Sequence, residues 1–205
     1  MKGKKLLLTS LFILVLCTIV YSQNPVNAHI HHSSLEMDSI LKQGPEYDLI
    51  KPLVGTWKVV QIIYSKGGEK ILTRDTFKVE RKMIGNFLQE VMQPIVKNEN
   101  SFTRISYLNY NRANLRWEYI VLDTRYPLMM FETSASHQVT EDKSIHLYLD
   151  AFIMPPFLGK EYAGMLAKQH RVITFKGNDT DINKQYFTLP ADKEFLAIEY
   201  VFKRE

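Results

Sequence analysis

The sequence predicts an all-β protein in which an antiparallel meander of about eight to ten strands closes into a barrel. After Gly55, apolar and aromatic runs of about seven to eleven residues follow one another, separated by short segments rich in Gly, Asn, Asp and Pro. These runs are joined mostly by hairpin-sized connections without helices, which favours antiparallel pairing. The 11 Tyr and 11 Phe residues also favour strands. Closure is expected because it removes the exposed edges of an open sheet.

Ten strands are predicted from these runs and from the turn residues between them. They cover residues 56–65, 71–81, 87–93, 102–109, 115–123, 129–134, 144–152, 169–175, 182–189 and 195–203. One longer connection, residues 154–168, contains Pro155-Pro156 and two glycines. Within it, residues 161–168 are predicted to form a short helix across one mouth of the barrel.

One or two short helices are predicted before the first strand. Residues 45–53 begin with Pro45 and have acidic residues in the first turn, as helix starts commonly do. The apolar residues over 35–41 have a weaker helical spacing. We therefore expect residues 23–43 to form a flexible leader and residues 44–205 to form the barrel domain.

The N-terminal segment predicts export. Three lysines precede an apolar run of about 15 residues over 6–20, and small residues follow near Ser22, which is the order of regions in a signal peptide. The run is shorter than the roughly 20 residues of a membrane-spanning helix. Residues 1–22 are predicted to be removed, leaving a periplasmic or secreted protein. Cleavage after Ala28, a retained membrane anchor and lipid attachment at Cys17 are the alternatives.

The composition of the mature chain limits its chemistry. Cys17 is the only cysteine, so cleavage leaves no thiol for a disulfide or a thiolate metal site. Loss of the three N-terminal lysines lowers the formal net charge from +4 to about +1. The basic residues form no stripe, so nucleic acid is not expected as a partner. The hydrophobic share of 45% suffices for one sizeable core.

Several short motifs have the order and spacing of one bacterial family. They are Gly44-Pro45-Glu46-Tyr47, Leu53-Val54-Gly55-Thr56-Trp57, Gly85-Asn86-Phe87-Leu88-Gln89-Glu90, Tyr107-Leu108-Asn109-Tyr110-Asn111 with Trp117 and Asp123, and Ile198-Glu199-Tyr200-Val201-Phe202-Lys203-Arg204. Over residues 44–204 the chain resembles exported lipocalin-like domains of unknown function, the family numbered 1579. The resemblance implies a calycin-type barrel in which Trp57 packs across the floor, and it implies no known activity. The apolar insertion at 155–168 departs from the commoner family pattern.

Alternation along the strands predicts which side chains face the interior. The resemblance favours the Trp57 face of the first strand as interior, and the Trp117 face of the central strand is expected to be interior as well. The residues predicted to line a pocket for an amphipathic molecule are Trp57, Gln89, Trp117, Tyr119 and Asp123. The alternative is that the same aromatic side chains form a filled core.

The six histidines offer two further hypotheses. They are His29, His31, His32, His137, His146 and His170. Cleavage after Ala28 would place a terminal amine, backbone amides and an imidazole around Cu(II) in a square-planar site. His146 or His170 would be the axial ligand if the barrel held haem. Ordinary solvated or partly buried roles are favoured for these histidines, so neither a metal nor a cofactor is predicted.

No sequence motif for catalysis is present. The chain has no G-x-S-x-G, no glycine-rich phosphate loop and no C-x-x-C, and Glu141-Asp142 is interpreted as a solvated turn. The leading hypothesis is a binding module that holds a small hydrophobic or amphipathic ligand inside the barrel. The alternative is a packed barrel that interacts through its surface, including residues 155–166, and a hydrolase-like enzyme is the third hypothesis. The sequence leaves the oligomeric state open.

Overall fold

The structure is a computed structural model that describes residues 40, 42–97, 99, 101–126, 128–135 and 143–205. Several predictions fall outside these residues. They are the signal peptide, Cys17, the possible copper ligands His29 and His31, nearly all of the predicted helix over 35–41, and His137 and Glu141-Asp142.

The described chain contains one short α-helix and ten strands. Helix α1 spans Pro45–Ile50 and continues as a 3₁₀ turn over Lys51–Leu53. The strands are β1 (Gly55–Tyr64), β2 (Lys70–Ile84), β3 (Phe87–Pro94), β4 (Arg104–Asn111), β5 (Arg116–Asp123), β6 (Leu128–Thr133), β7 (Ser144–Ile153), β8 (Leu166–Phe175), β9 (Thr180–Thr188) and β10 (Phe195–Arg204). This confirms the predicted all-β class. Within the described residues, no helix has the length and apolar character needed to cross a bilayer.

The strands form a closed barrel in chain order. Each strand pairs antiparallel with its neighbours, and β1 pairs with β10 to close the sheet, with Gln61 opposite Tyr200. The pairing between β6 and β7 is limited in the described residues to Thr133 and Tyr148. The architecture is therefore the predicted meander, with ten strands and with α1 before the first of them.

The connection between β7 and β8 differs from its prediction. A 3₁₀ turn over Pro156–Leu158 is followed by further turns, and β8 begins at Leu166, so the helix predicted over 161–168 is wrong. Backbone N–H groups of Met154 and Gly164 donate to the carbonyls of Met165 (2.8 Å) and Met154 (2.9 Å), which closes the segment as a hairpin. Gly164 has a φ of 83°, a conformation that ends a helix.

Two clusters of apolar side chains form the core. One runs along β1, β2 and β10 and includes Trp57, which is fully buried. The other joins α1 and the 3₁₀ turn to β4, β5, β7 and β8 through Ile50, Leu53 and Trp117. Helix α1 therefore caps one end of the barrel, and the predicted interior faces of β1 and β5 are the buried ones.

Arg204, at the end of β10, fixes the entry of the chain into β1. Its Nη1 donates to the Val54 carbonyl (2.7 Å), its Nε donates to the Asn178 carbonyl (2.8 Å), and the guanidinium lies 4.4 Å from the centre of the Trp57 ring. Gly55 has a φ of 140°, a backbone conformation that residues with a Cβ rarely adopt, and a Cβ here would also lie 2.6 Å from Arg204 Nη1. The first and last strands are thus joined beside α1.

Candidate functional site

A cavity of about 610 Å³ lies inside the barrel, among the ends of strands remote from α1. Its size is within the range of about 300–1,000 Å³ that is typical of sites for small molecules. Much of its wall is apolar, with Ile63, Phe77, Phe102, Phe152, Phe187 and Ile198 among the lining residues. The polar lining includes Gln61, Arg104, Gln169, Arg171, Gln185 and Tyr200. The barrel is therefore packed at the α1 end and open inside at the other.

The insertion between β7 and β8 contributes to the cavity wall without filling it. Pro155 lines the cavity, Met154 is buried, and Leu158 and Tyr162 pack against the first core cluster. Leu166, at the start of β8, is 55% exposed. The side chain of Phe157 lies outside the described part of the structure. This segment therefore covers part of one end of the barrel. Some of its side chains are buried, as in a plug, and others are exposed, as in a surface patch.

A layer of paired charges lies inside the barrel. Arg81 binds two carboxylates, those of Glu90 (Nη2 to Oε2, 2.7 Å) and Asp181. Arg171 donates one hydrogen bond of 2.8 Å to each carboxylate oxygen of Glu132. All of these side chains are at least nine-tenths buried. A buried charge without a partner is strongly destabilising. Each arginine of this layer therefore stabilises the buried carboxylates that it binds.

The five residues predicted to form a pocket lie in different parts of the barrel. Asp123 lines the cavity. Trp57 lies near α1, where its Nε1 donates to the Leu53 carbonyl (2.9 Å). Trp117 and Tyr119 belong to the second core cluster. Gln89 lies on the opposite face of β3 from the buried Leu88 and Glu90, and it donates to the hydroxyl of Tyr107 (2.6 Å).

The prediction did not include the inward-facing polar residues of β4, β8 and β9. A signal for them exists in the sequence, because polar residues recur at every second position, the period of one face of a strand. Such residues are Arg104 and Ser106 on β4, Gln169 and Arg171 on β8, and Asp181, Asn183 and Gln185 on β9.

His146 and His170 lie on the outside of the barrel, because they alternate with the buried Leu147 and Arg171. His146 Nδ1 is 2.9 Å from His170 Nε2, and the His170 ring stacks on Tyr148 at 4.6 Å between centroids. Neither histidine is among the cavity-lining residues, so the hypothesis of an axial haem ligand inside the barrel is wrong. Among the described residues, no group of three or more His, Cys, Asp or Glu side chains is arranged to hold a metal ion.

Asp123 is held at the cavity wall by Arg125. The guanidinium donates hydrogen bonds of 2.9 and 2.6 Å to the two carboxylate oxygens. The backbone N–H of Arg125 adds a third hydrogen bond, of 3.0 Å. Burial opposes ionisation of Asp123, but these hydrogen bonds outweigh it, so the pKa of Asp123 lies below its ordinary value.

Replacing Asp123 with asparagine is expected to lower the free energy of unfolding at pH 7 by about 0.5–1 kcal/mol. Since the folded-state pKa is lowered, the ionised carboxylate stabilises the fold above the unfolded-state pKa, and this contribution disappears as the pH falls through the folded value. The difference between wild type and D123N should therefore shrink in urea unfolding at pH 3. D150N, at an exposed carboxylate of β7, is the control, and an equal or larger effect of D150N would contradict the prediction.

Comparison with models of known protein families gave no match, and comparison with curated proteins gave none either. Among solved structures, the chain is similar to the crystal structure of Rv2717c from M. tuberculosis, with a TM-score of 0.51 and 16% sequence identity. The match covers 80% of this chain and 99% of that one. At this identity, the likeness concerns the fold alone, and it agrees with a β-barrel of the lipocalin-like type.

Proposed function

We propose that this chain is an exported binding protein that holds one small hydrophobic or amphipathic molecule inside its barrel. The export part of the proposal is supported by the signal-peptide pattern of residues 1–22, and membership of the family numbered 1579 is supported by the motifs over residues 44–204. The observation that carries the binding function is the cavity of about 610 Å³ inside the barrel.

The wall of the cavity supports an amphipathic ligand. The apolar side chains of Phe77, Phe102 and Phe187 offer a surface from which water is displaced favourably by a hydrocarbon group. Side chains such as Gln185 and Arg104 add a small number of hydrogen-bonding groups, which is the usual composition of a small-molecule site.

The two other hypotheses have less support. The hypothesis of a filled barrel that acts through its surface does not agree with the cavity at the end remote from α1. A hydrolase needs a nucleophile or a general base facing its substrate, yet the described cavity lining contains no serine, threonine, cysteine or histidine. Its one carboxylate, that of Asp123, is bound to Arg125.

Native mass spectrometry tests the binding function directly. The mature protein is purified from the envelope of its own cells, and its mass is measured before and after denaturation. We expect a reproducible small-molecule mass to leave on denaturation. Equal masses, together with failure of neutral and charged amphiphiles to bind the purified protein, would overturn the proposal.

Replacing Ile198 with tryptophan is expected to fill part of the cavity and to weaken binding of the neutral dye N-phenyl-1-naphthylamine by about tenfold or more. Ile198 is buried and lines the cavity, so the added ring occupies the volume that a ligand needs. Overpacking of this kind costs about 1–3 kcal/mol of stability, and circular dichroism checks that the variant folds. I120W, on the outer face of β5, is the matched control. Unchanged dye affinity in folded I198W would place the dye outside the cavity.

A further inference from the structure

Arg104 differs from the other arginines that face the barrel interior. Arg81 and Arg171 each bind a carboxylate, but Arg104 forms no ion pair within the described chain. Arg104 is 5% exposed, and among the described residues neither its buried Nε nor its Nη1 has a hydrogen-bond partner. A guanidinium remains charged in proteins, and a buried charge without a partner is costly. This arginine therefore retains the capacity to bind an anion.

Arg104 lines the cavity, and its described neighbours do not supply a carboxylate that pairs directly with the guanidinium. Its Nη2 donates to the hydroxyl of Tyr119 (3.3 Å), and the guanidinium lies 5.1 Å from the centre of the Tyr200 ring. Two carboxylates, those of Glu90 and Asp123, act on Arg104 at longer range. Each of them already binds another arginine, as described above. Neither therefore serves as the direct partner of Arg104.

A second hydrogen-bond donor lines the same cavity. The Tyr200 hydroxyl accepts a hydrogen bond from Gln61 Nε2 (2.9 Å). No other hydrogen bond of this hydroxyl is formed with the part of the chain that is described, so its own O–H group is available to donate. A guanidinium and a phenol that line the same apolar cavity can each donate a hydrogen bond to a carboxylate.

We propose, on the basis of the binding function proposed above, that the ligand is an amphiphile with a single carboxylate. The carboxylate binds Arg104 and Tyr200, and the hydrocarbon part lies along Phe102, Phe152 and Phe187. A phosphate monoester fits this site less well, because its second negative charge would need a second cation. Arg171, the other buried arginine in the wall, is already committed to Glu132.

Three compounds with the same twelve-carbon chain test this inference. Dodecanoate, dodecanol and dodecyl phosphate each compete with N-phenyl-1-naphthylamine for wild-type protein at pH 7.4. A charge-assisted hydrogen bond is expected to make dodecanoate bind about 10- to 100-fold more tightly than dodecanol. Equal affinities of the acid and the alcohol, or tighter binding of the phosphate, would overturn the carboxylate assignment while leaving the binding function intact. If the dye and all three compounds fail to bind, the binding function itself is overturned.

Variants locate the group that recognises the carboxylate. In R104Q we expect dodecanol to bind as in wild type and the preference for dodecanoate to fall to about twofold or less. R104K keeps the charge without the planar fork, so it should retain an intermediate preference, and it also serves if R104Q does not fold. R116Q, at an outward-facing arginine of β5 that does not line the cavity, is the control, and its preference should remain. Loss of the preference in R116Q, or its persistence in both Arg104 variants, would overturn the assignment.

Discussion

Replacing Arg171 with methionine is expected to lower the free energy of unfolding by about 3–5 kcal/mol, because the change leaves a buried carboxylate without its cation. Arg171 and Glu132 are both fully buried, and their two hydrogen bonds form a bidentate pair. In R171M the Glu132 carboxylate would keep only the hydrogen bond from Gln169 Nε2 (2.7 Å) among those that the structure shows. Urea unfolding at pH 7 followed by circular dichroism measures this loss.

The double variant E132Q/R171M separates the cost of the unpaired charge from the cost of the lost packing. It removes both charges and keeps an amide at position 132 that can still contact Gln169. We expect it to be more stable than R171M alone, although it carries one more substitution. A double variant that is less stable than R171M would show that packing, and not the unpaired charge, dominates at this site.

Replacing Trp57 with alanine is expected to cost about 3–5 kcal/mol, the usual range for deleting a fully buried aromatic side chain. The indole is buried at the junction of α1 and β1, with the guanidinium of Arg81 4.8 Å and that of Arg204 4.4 Å from its ring centre. The change therefore leaves a cavity and also removes the surface on which both arginines pack. Thermal and urea unfolding of W57A against wild type measure the effect.

The conservative change W57F has a matched control in W117F. Both tryptophans are fully buried, but Trp57 Nε1 donates to the Leu53 carbonyl, whereas Trp117 Nε1 has no hydrogen-bond partner among the described residues. W57F should therefore cost about 1 kcal/mol more than W117F, the net contribution of one hydrogen bond. Equal costs would contradict a stabilising role for the Trp57 hydrogen bond.

The fold can be predicted from the sequence because the patterns that indicate its strands and turns are local. Alternation marks the interior face of a strand, and turn residues mark its ends, so all ten strands and the helix at Pro45–Ile50 were predicted close to their bounds. The β7–β8 connection was predicted less well. Hydrogen bonds of Met154 with Met165 and with Gly164 determine its hairpin shape, and such pairing across a loop leaves no helical or alternating pattern.

The cavity was less accessible, since strand pairing between distant parts of the sequence decides which inward residues share a layer. Trp57, Trp117 and Asp123 were expected together, but the register of the barrel places them at different levels. Arg104 and Tyr200 belong to β4 and β10, and nothing in either segment shows that they meet in one cavity. Their polar positions on inward faces were visible, but their pairing partners were not.

The closure of β1 on β10 has a consequence for the order in which the molecule folds. Gln61 and Tyr200, which meet at this closure, are 139 residues apart in sequence. Contacts between such distant residues form late, because the entropy of closing the chain must be lost before they stabilise it. Until then one edge of β1 is unpaired and prone to associate with other chains. Ile198 and Tyr200 join the wall of the cavity only with β10, so we expect the cavity to be among the last parts of the protein to form.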